Sequence, residues 1–219
     1  TESAEIAERF LKFVAIHGHT AQSLFEVVQS TFKTLDIDIG NCRGQSFDNA
    51  SNVSGKYTGL QARIKNVNPL AVFVPCMAHS LNLVGTCAVD CCSEATNFFG
   101  FLQKLFTFFS ASTHRWEVMC ESLKNPSDDK KKPHLVVKNL SQTRWSCRAD
   151  ATKALACNYS RIYDALSTLM NDPAQKADTC AEARSLISKM DRIECTFMTL
   201  LWDHILQRFN ATSLSLQKT

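Results

Sequence analysis

The chain has 219 residues, enough to bury one good core or one core plus a smaller helical appendage. It is 45% hydrophobic and 21% charged with only 7 Gly and 5 Pro, the composition of a folded globular protein without low-complexity segments. A net charge of +3 does not announce nucleic acid by itself, and no apolar run is long enough to cross a bilayer, so no membrane partner is expected. Thr1 is not an initiator and no basic-plus-apolar leader opens the sequence, which reads as a fragment.

Residues 6–16 mix helical and extended signals, and His17-Gly18-His19 turns the chain. Thr20 is suited to cap a helix, and Leu24, Val27, Val28, Thr31, Phe32 and Leu35 recur at helical spacing, which predicts a helix over 20–35. A short strand over 41–47 follows, with Asp48 at its end. The pattern over 54–66 predicts a helix with sparse apolar positions, and Pro69 stops it. Residues 70–74 (LAVFV) form the continuous apolar run of a buried parallel strand, and Ala78 opens a helix through Leu83 and beyond. Alternating strands and helices imply an α/β fold with right-handed crossovers.

After residue 92 the pattern is helical throughout. Ala95, Phe98, Phe99, Leu102, Leu105, Phe106 and Phe109 make an aromatic stripe at helical spacing, which is read as core. Residues 124–137 carry two Pro and the run Lys130-Lys131-Lys132, and read as a solvated linker. Two helices are predicted beyond it, over 149–171 and 181–210. In the second, Ala183, Leu186, Met190, Ile193, Phe197 and Leu200 form a seam suited to antiparallel packing. The expected division is therefore 1–92 as an α/β region and 93–219 as a helical region, with the linker near 124–138.

Three landmarks could carry chemistry. Asp48 ends an extended run and is followed by small polar residues. That is how a sheet presents an acid at a strand's carboxyl end, and equally how an Asx-turn or helix cap begins. Cys76 and His79 fall at i and i+3 at the start of a helix, where they either order a site or tie helix to sheet. Arg144-Trp145 could hold a phosphate while the indole stacks on an unpaired base, or the Trp could be a packing anchor. A second pair, Arg115-Trp116, is read as packing. The 10 cysteines lie largely within helical patterns and read as reduced thiols. Cys76, His79, Cys87 and Cys91 could supply four zinc ligands, but no finger-like loop joins the two pairs, so zinc is not expected.

In that order, these landmarks resemble the hAT superfamily of DNA transposases, and in particular its DUF4371 and MYM-type zinc-finger-like relatives. The matching text is Arg43-Gly44-Gln45-Ser46-Phe47-Asp48-Asn49-Ala50-Ser51-Asn52-Val53-Ser54-Gly55 with its continuation through Ile64. It goes on in Asn68-Pro69-Leu70-Ala71, Cys76-Met77-Ala78-His79-Ser80-Leu81-Asn82, Ser141-Gln142-Thr143-Arg144-Trp145, and the helix of Trp202, Ile205 and Leu206.

The resemblance implies a ribonuclease H-like mixed sheet, here incomplete, with flanking helices and followed by an all-α insertion. It also implies that 10–16 is a strand. Family chemistry uses three acids holding two divalent ions, Mg²⁺ or Mn²⁺, for metal-dependent cut-and-paste DNA transposition. Asp48 matches the second acid by motif position and would be both catalytic and metal-binding. The first and third acids are expected outside this chain. Cys76, His79, Arg144 and Trp145 would support the site or contact DNA. Transposon-end DNA, a possible homo-oligomer and a nuclear location follow from the same resemblance. The fragment alone is expected to be inactive. The rival readings are a domesticated nuclear protein that binds DNA or protein without catalysis, and a zinc-stabilised interaction module.

Overall fold

A computed structural model describes residues 7–124, 135–140 and 145–217. Arg144 and the Lys130–Lys132 run, both singled out above, lie outside the described residues. Among the described residues the chain is mostly helical with one small parallel sheet, and it forms two compact units, Thr1–Ser80 and Leu81–Thr219.

In the first unit, α1 (Ala21–Thr34) starts where Thr20 predicted, its hydroxyl accepting from the Ser23 N–H at 3.1 Å. Strands β1 (Gly44–Gln45) and β2 (Val72–Phe73) fall inside the two predicted runs and pair in parallel, Gly44 opposite Val72 and Gln45 opposite Phe73. The run 70–74 is not the buried strand expected: Ala71 enters the core, but Leu70, Val72 and Val74 are exposed, because among the described residues only one face of this strand pair is covered. The hydrogen-bond ladder is longer than the strands. N–H groups of Val72, Val74 and Cys76 donate in turn to the carbonyls of Arg43, Gln45 and Phe47, at 3.1, 2.9 and 2.8 Å. Leu24, Phe25 and Val28 of α1 pack with Leu60, Ile64 and Ala71 to make the small core beneath this sheet.

Two buried amides fix the strands' approach. Asn68 Nδ2 donates to the carbonyls of Ile39, Gly40 and Cys42, and its Oδ1 accepts from the Leu70 N–H. One side chain thus ties the loop entering β1 to the loop entering β2. Gln45 Nε2 donates to the Gln61 and Ala71 carbonyls, locking β1 to the helix behind it.

Of the helix predicted over 54–66 only the later part forms, as α3 (Leu60–Val67), while α2 (Ser51–Ser54) is a separate single turn before it. Between them the chain folds so tightly that a Cβ on Gly59 would lie 2.5 Å from the Gly55 nitrogen. Only glycine fits there, and that contact keeps 55–59 out of the predicted helix. Residues 10–16 are not a strand. Among the described residues this segment joins no ladder, and Phe13 is 91% exposed. An extended run without a partner has nowhere to satisfy its backbone groups except water. Among the described residues the sheet is the single β1–β2 pair, and the expected mixed sheet is not seen there.

The second unit takes up the later part of α4 (Met77–Asp90), because Gly85 and Val89 are buried among the helices that follow. α5 (Ser93–Ser110) carries most of the predicted stripe inward, with Ala95, Phe98, Phe99, Leu102, Leu105 and Phe109 buried and Phe106 half-buried, and it buries Phe101 and Phe108, which that stripe did not include. α6 (Thr113–Leu123), α7 (Trp145–Asn171), α8 (Ala177–Met190) and α9 (Ile193–Leu216) complete the bundle. α7 kinks at Asn158, whose side-chain amide donates to the Ala154 and Leu135 carbonyls. On α6, Trp116 packs edge-on to Phe106 and the Arg115 guanidinium lies over Phe108.

The single helix predicted over 181–210 is α8 and α9, broken at Asp191-Arg192 with no Gly or Pro to mark it. The predicted seam changes side at the break. Ala183, Leu186 and Met190 are buried, whereas Ile193, Phe197 and Leu200 face outward and α9 buries Thr199, Trp202 and Leu206 instead. Among the described residues, no helix is long and apolar enough to cross a membrane.

Candidate functional site at the carboxyl end of the parallel strands

Both strands of the first unit run in the same direction, so their carboxyl ends lie side by side. β1 leads through Ser46 and Phe47 to Asp48, and β2 leads through Val74 and Pro75 to Cys76 and the start of α4. The 2.8 Å bond from the Cys76 N–H to the Phe47 carbonyl places Asp48 next in chain to a residue paired with Cys76. Phe47 and Phe73 stack beneath, their ring centroids 6.4 Å apart, which anchors both strand ends.

Asp48 is exposed, and its Oδ1 accepts from the Ala50 N–H at 3.1 Å. This is an Asx-turn, and it leads the chain directly into α2. Asn49, half-buried, reaches across instead: its Nδ2 donates to the Ser80 hydroxyl at 3.1 Å. Ser80 in turn donates to the Cys76 carbonyl at 3.0 Å, which also takes the Ser80 N–H. Asn52 Nδ2 donates to the His19 carbonyl at 2.8 Å and holds the far side of the turn. Cys76 and His79 are half-buried in and just before the first turn of α4.

The structure therefore brings Asp48, Cys76 and His79 to one end of the parallel pair and adds Asn49 and Ser80, which sequence reasoning passed over. Ser80 lies within the quoted Cys76–Asn82 motif, yet nothing local signals that it meets a residue 31 positions away. Trp145 is elsewhere, in the helical unit. It is 2% exposed, with Phe99, Trp202 and Phe209 around its ring and its Nε1 donating to the Thr86 hydroxyl at 3.3 Å. Neither face of this indole is open to a base. Arg148 stacks against it, its guanidinium 4.7 Å from the Trp145 ring and 4.8 Å from Phe99. Burial pulls the Arg148 pKa down, and Asp90 opposes that pull.

Among the described residues, no group of three or more His, Cys, Asp or Glu side chains lies close enough to hold a metal ion. Asp48 supplies one carboxylate, already committed in part to its turn. A pair of divalent ions needs several hard oxygen donors, so the residues described here do not by themselves fit that centre. Cys87, on α4, and Cys91, in the turn just after it, are exposed thiols.

The DUF4371 family model, described as the ZMYM1/FAM200 RNase-like domain, matches residues 1–59. The match supports a transposase-derived family. It takes in α1, β1, Asp48 and Asn49, and it stops before β2, Cys76 and the whole helical unit. No solved structure matches the chain.

Proposed function

We propose that this chain is part of a hAT-type transposase catalytic region, in which the first unit is a piece of a ribonuclease H-like core and the helical unit belongs to its insertion. The observation that carries the reading is the joining of Asp48 and the Cys76/His79 turn at one end of a parallel strand pair. In open α/β sheets, ligands bind outside the carboxyl ends of strands. α4 also begins there, and a helix N-terminus favours an anionic group such as a DNA phosphate. The DUF4371 match covers the strand that bears Asp48.

On this reading Asp48 is one of three metal-binding acids, and Cys76 and His79 are positioning residues that fix the first turn of α4 beside it. Arg144 remains a phosphate-contact candidate. The partner is transposon-end DNA, the metal Mg²⁺ or Mn²⁺, and the compartment the nucleus. The test is Mn²⁺-dependent nicking of end DNA by the complete protein. Asp48→Asn should abolish it while leaving the circular dichroism spectrum unchanged.

A second reading starts from one feature, the Asp48 carboxylate engaged in its own turn. It is a domesticated protein that binds DNA or protein without cutting. If the complete protein binds DNA but shows no metal-dependent nicking, and Asp48→Asn leaves DNA binding intact, this second reading replaces the first.

A further inference from the structure

α9 turns an apolar stripe away from the core of its unit. Ile193, Phe197 and Leu200 are 81%, 62% and 62% exposed, and Leu201 and Ile205 are exposed beside them. These positions follow i, i+4, i+7, i+8 and i+12, which is one face of a helix. One turn beyond Phe197, four residues of the same face, Leu201, His204, Ile205 and Arg208, enclose a shallow hollow of about 240 Å³. Their spacing, i, i+3, i+4 and i+7, is that of the four-residue hole that receives a knob from a facing helix.

We propose that this face is a self-association surface, on which a second copy of the chain packs its α9 antiparallel, crossing near Leu200 and Leu201. The helix carries both a knob and a hole. Phe197 projects four residues before the centre of the pairing, and the hollow is centred about four residues after it. A two-fold axis at Leu200–Leu201 therefore seats each Phe197 in the other copy's hollow, the self-complementarity an isologous interface requires.

Charge agrees with the antiparallel sense. Glu194 lies near the start of the stripe and Arg208 near its end, both exposed, and neither is in an ion pair among the described residues. Antiparallel pairing about the same axis sets Glu194 of each copy beside Arg208 of the other. A parallel arrangement would set Glu194 against Glu194 and Arg208 against Arg208. The contact from Ile193 to Arg208 spans about 22 Å of helix, consistent with a modest, concentration-dependent dimer.

Sedimentation velocity of the full chain tests this directly. A reversible dimer is expected, with Phe197→Asp raising its dissociation constant roughly thirtyfold or more, since a seated aromatic knob is a hot spot. Glu194→Arg and Arg208→Glu should each weaken the dimer, and the chain carrying both should recover the wild-type constant. Three results would each overturn the proposal: a monomer at all concentrations, a dimer indifferent to Phe197→Asp, or a double variant no tighter than either single one. Because every substituted side chain is exposed in the monomer, far-UV circular dichroism should stay unchanged, and the charge exchange remains decisive if Phe197→Asp misfolds.

Discussion

The Cys76 N–H donates to the Phe47 carbonyl at 2.8 Å, continuing the parallel ladder beyond the two residues that each strand formally contributes. Asp48 follows Phe47, and α4 follows Cys76. This bond is therefore what sets the carboxylate-bearing turn beside a helix start, and the Asn49–Ser80 contact closes the same gap one residue further on. Part-buried side-chain hydrogen bonds of this kind contribute about 1 kcal/mol net. In a double-mutant cycle of Asn49→Ala and Ser80→Ala followed by urea unfolding, the expected coupling is about 0.5–1 kcal/mol. Purely additive losses would mean the contact does not hold the turn.

Asn68 is the strictest position in the first unit. Its amide donates to three carbonyls, and a carboxylate there has nothing to donate. Asn68→Ala should cost about 2–3 kcal/mol through unmet buried groups. Asn68→Asp, though nearly the same shape, should cost more at neutral pH, because it sets a charge against carbonyl oxygens. Chemical denaturation at pH 7 distinguishes the two, and an Asp variant as stable as the Ala variant would contradict this account.

Two helical glycines should respond oppositely to alanine. A Cβ at Gly85 would come 2.6 Å from Trp145 Cε2, against a ring held by three aromatic neighbours. Gly85→Ala should destabilise the helical unit by about 1–3 kcal/mol and alter tryptophan fluorescence. Gly100, midway along α5, has open space where a Cβ would stand, with nothing within 4 Å of it. Gly100→Ala should stabilise by about 0.5–1 kcal/mol, and thermal unfolding of the two variants checks the opposite signs.

Tyr159 links pH to stability. Its hydroxyl donates to the Met190 carbonyl at 2.7 Å, at the end of α8, and burial pushes its pKa well above the usual tyrosine value. The folded phenol therefore keeps its proton to higher pH than the unfolded one. Its contribution is complete below pH 10 and is lost as pH rises through and beyond that value, where the unfolded chain ionises first. Tyr159→Phe should cost about 1 kcal/mol at pH 7 and flatten the stability loss measured between about pH 9 and 11.

Much of this architecture is legible in local pattern. Thr20 marks the start of α1 because a cap is a local signal, and the apolar run 70–74 does contain β2, although it is not the buried strand that its continuity suggested. The aromatic stripe of α5 is core because helical spacing gathers it on one face. What escapes is non-local. The break between α8 and α9 carries no Gly or Pro, so the apolar spacing runs through it while the face it describes moves from core to surface. The Gly55–Gly59 contact keeps 55–59 out of the predicted helix only because the chain folds back on itself there. At the candidate site, Asp48, Cys76 and His79 can be read as strand-end and helix-start residues. The Asn49–Ser80 and Asn68 bonds cannot, since each spans more than twenty residues and depends on the ladder already being in register.

The central claim is that Asp48 belongs to a metal-binding acidic centre in the complete protein. Titrating that protein with Mn²⁺ and measuring the bound ion by electron paramagnetic resonance tests this without relying on turnover. The account predicts tightly bound Mn²⁺ in the wild type and its loss, with the fold intact, in Asp48→Asn. Equal Mn²⁺ binding by both proteins would contradict it.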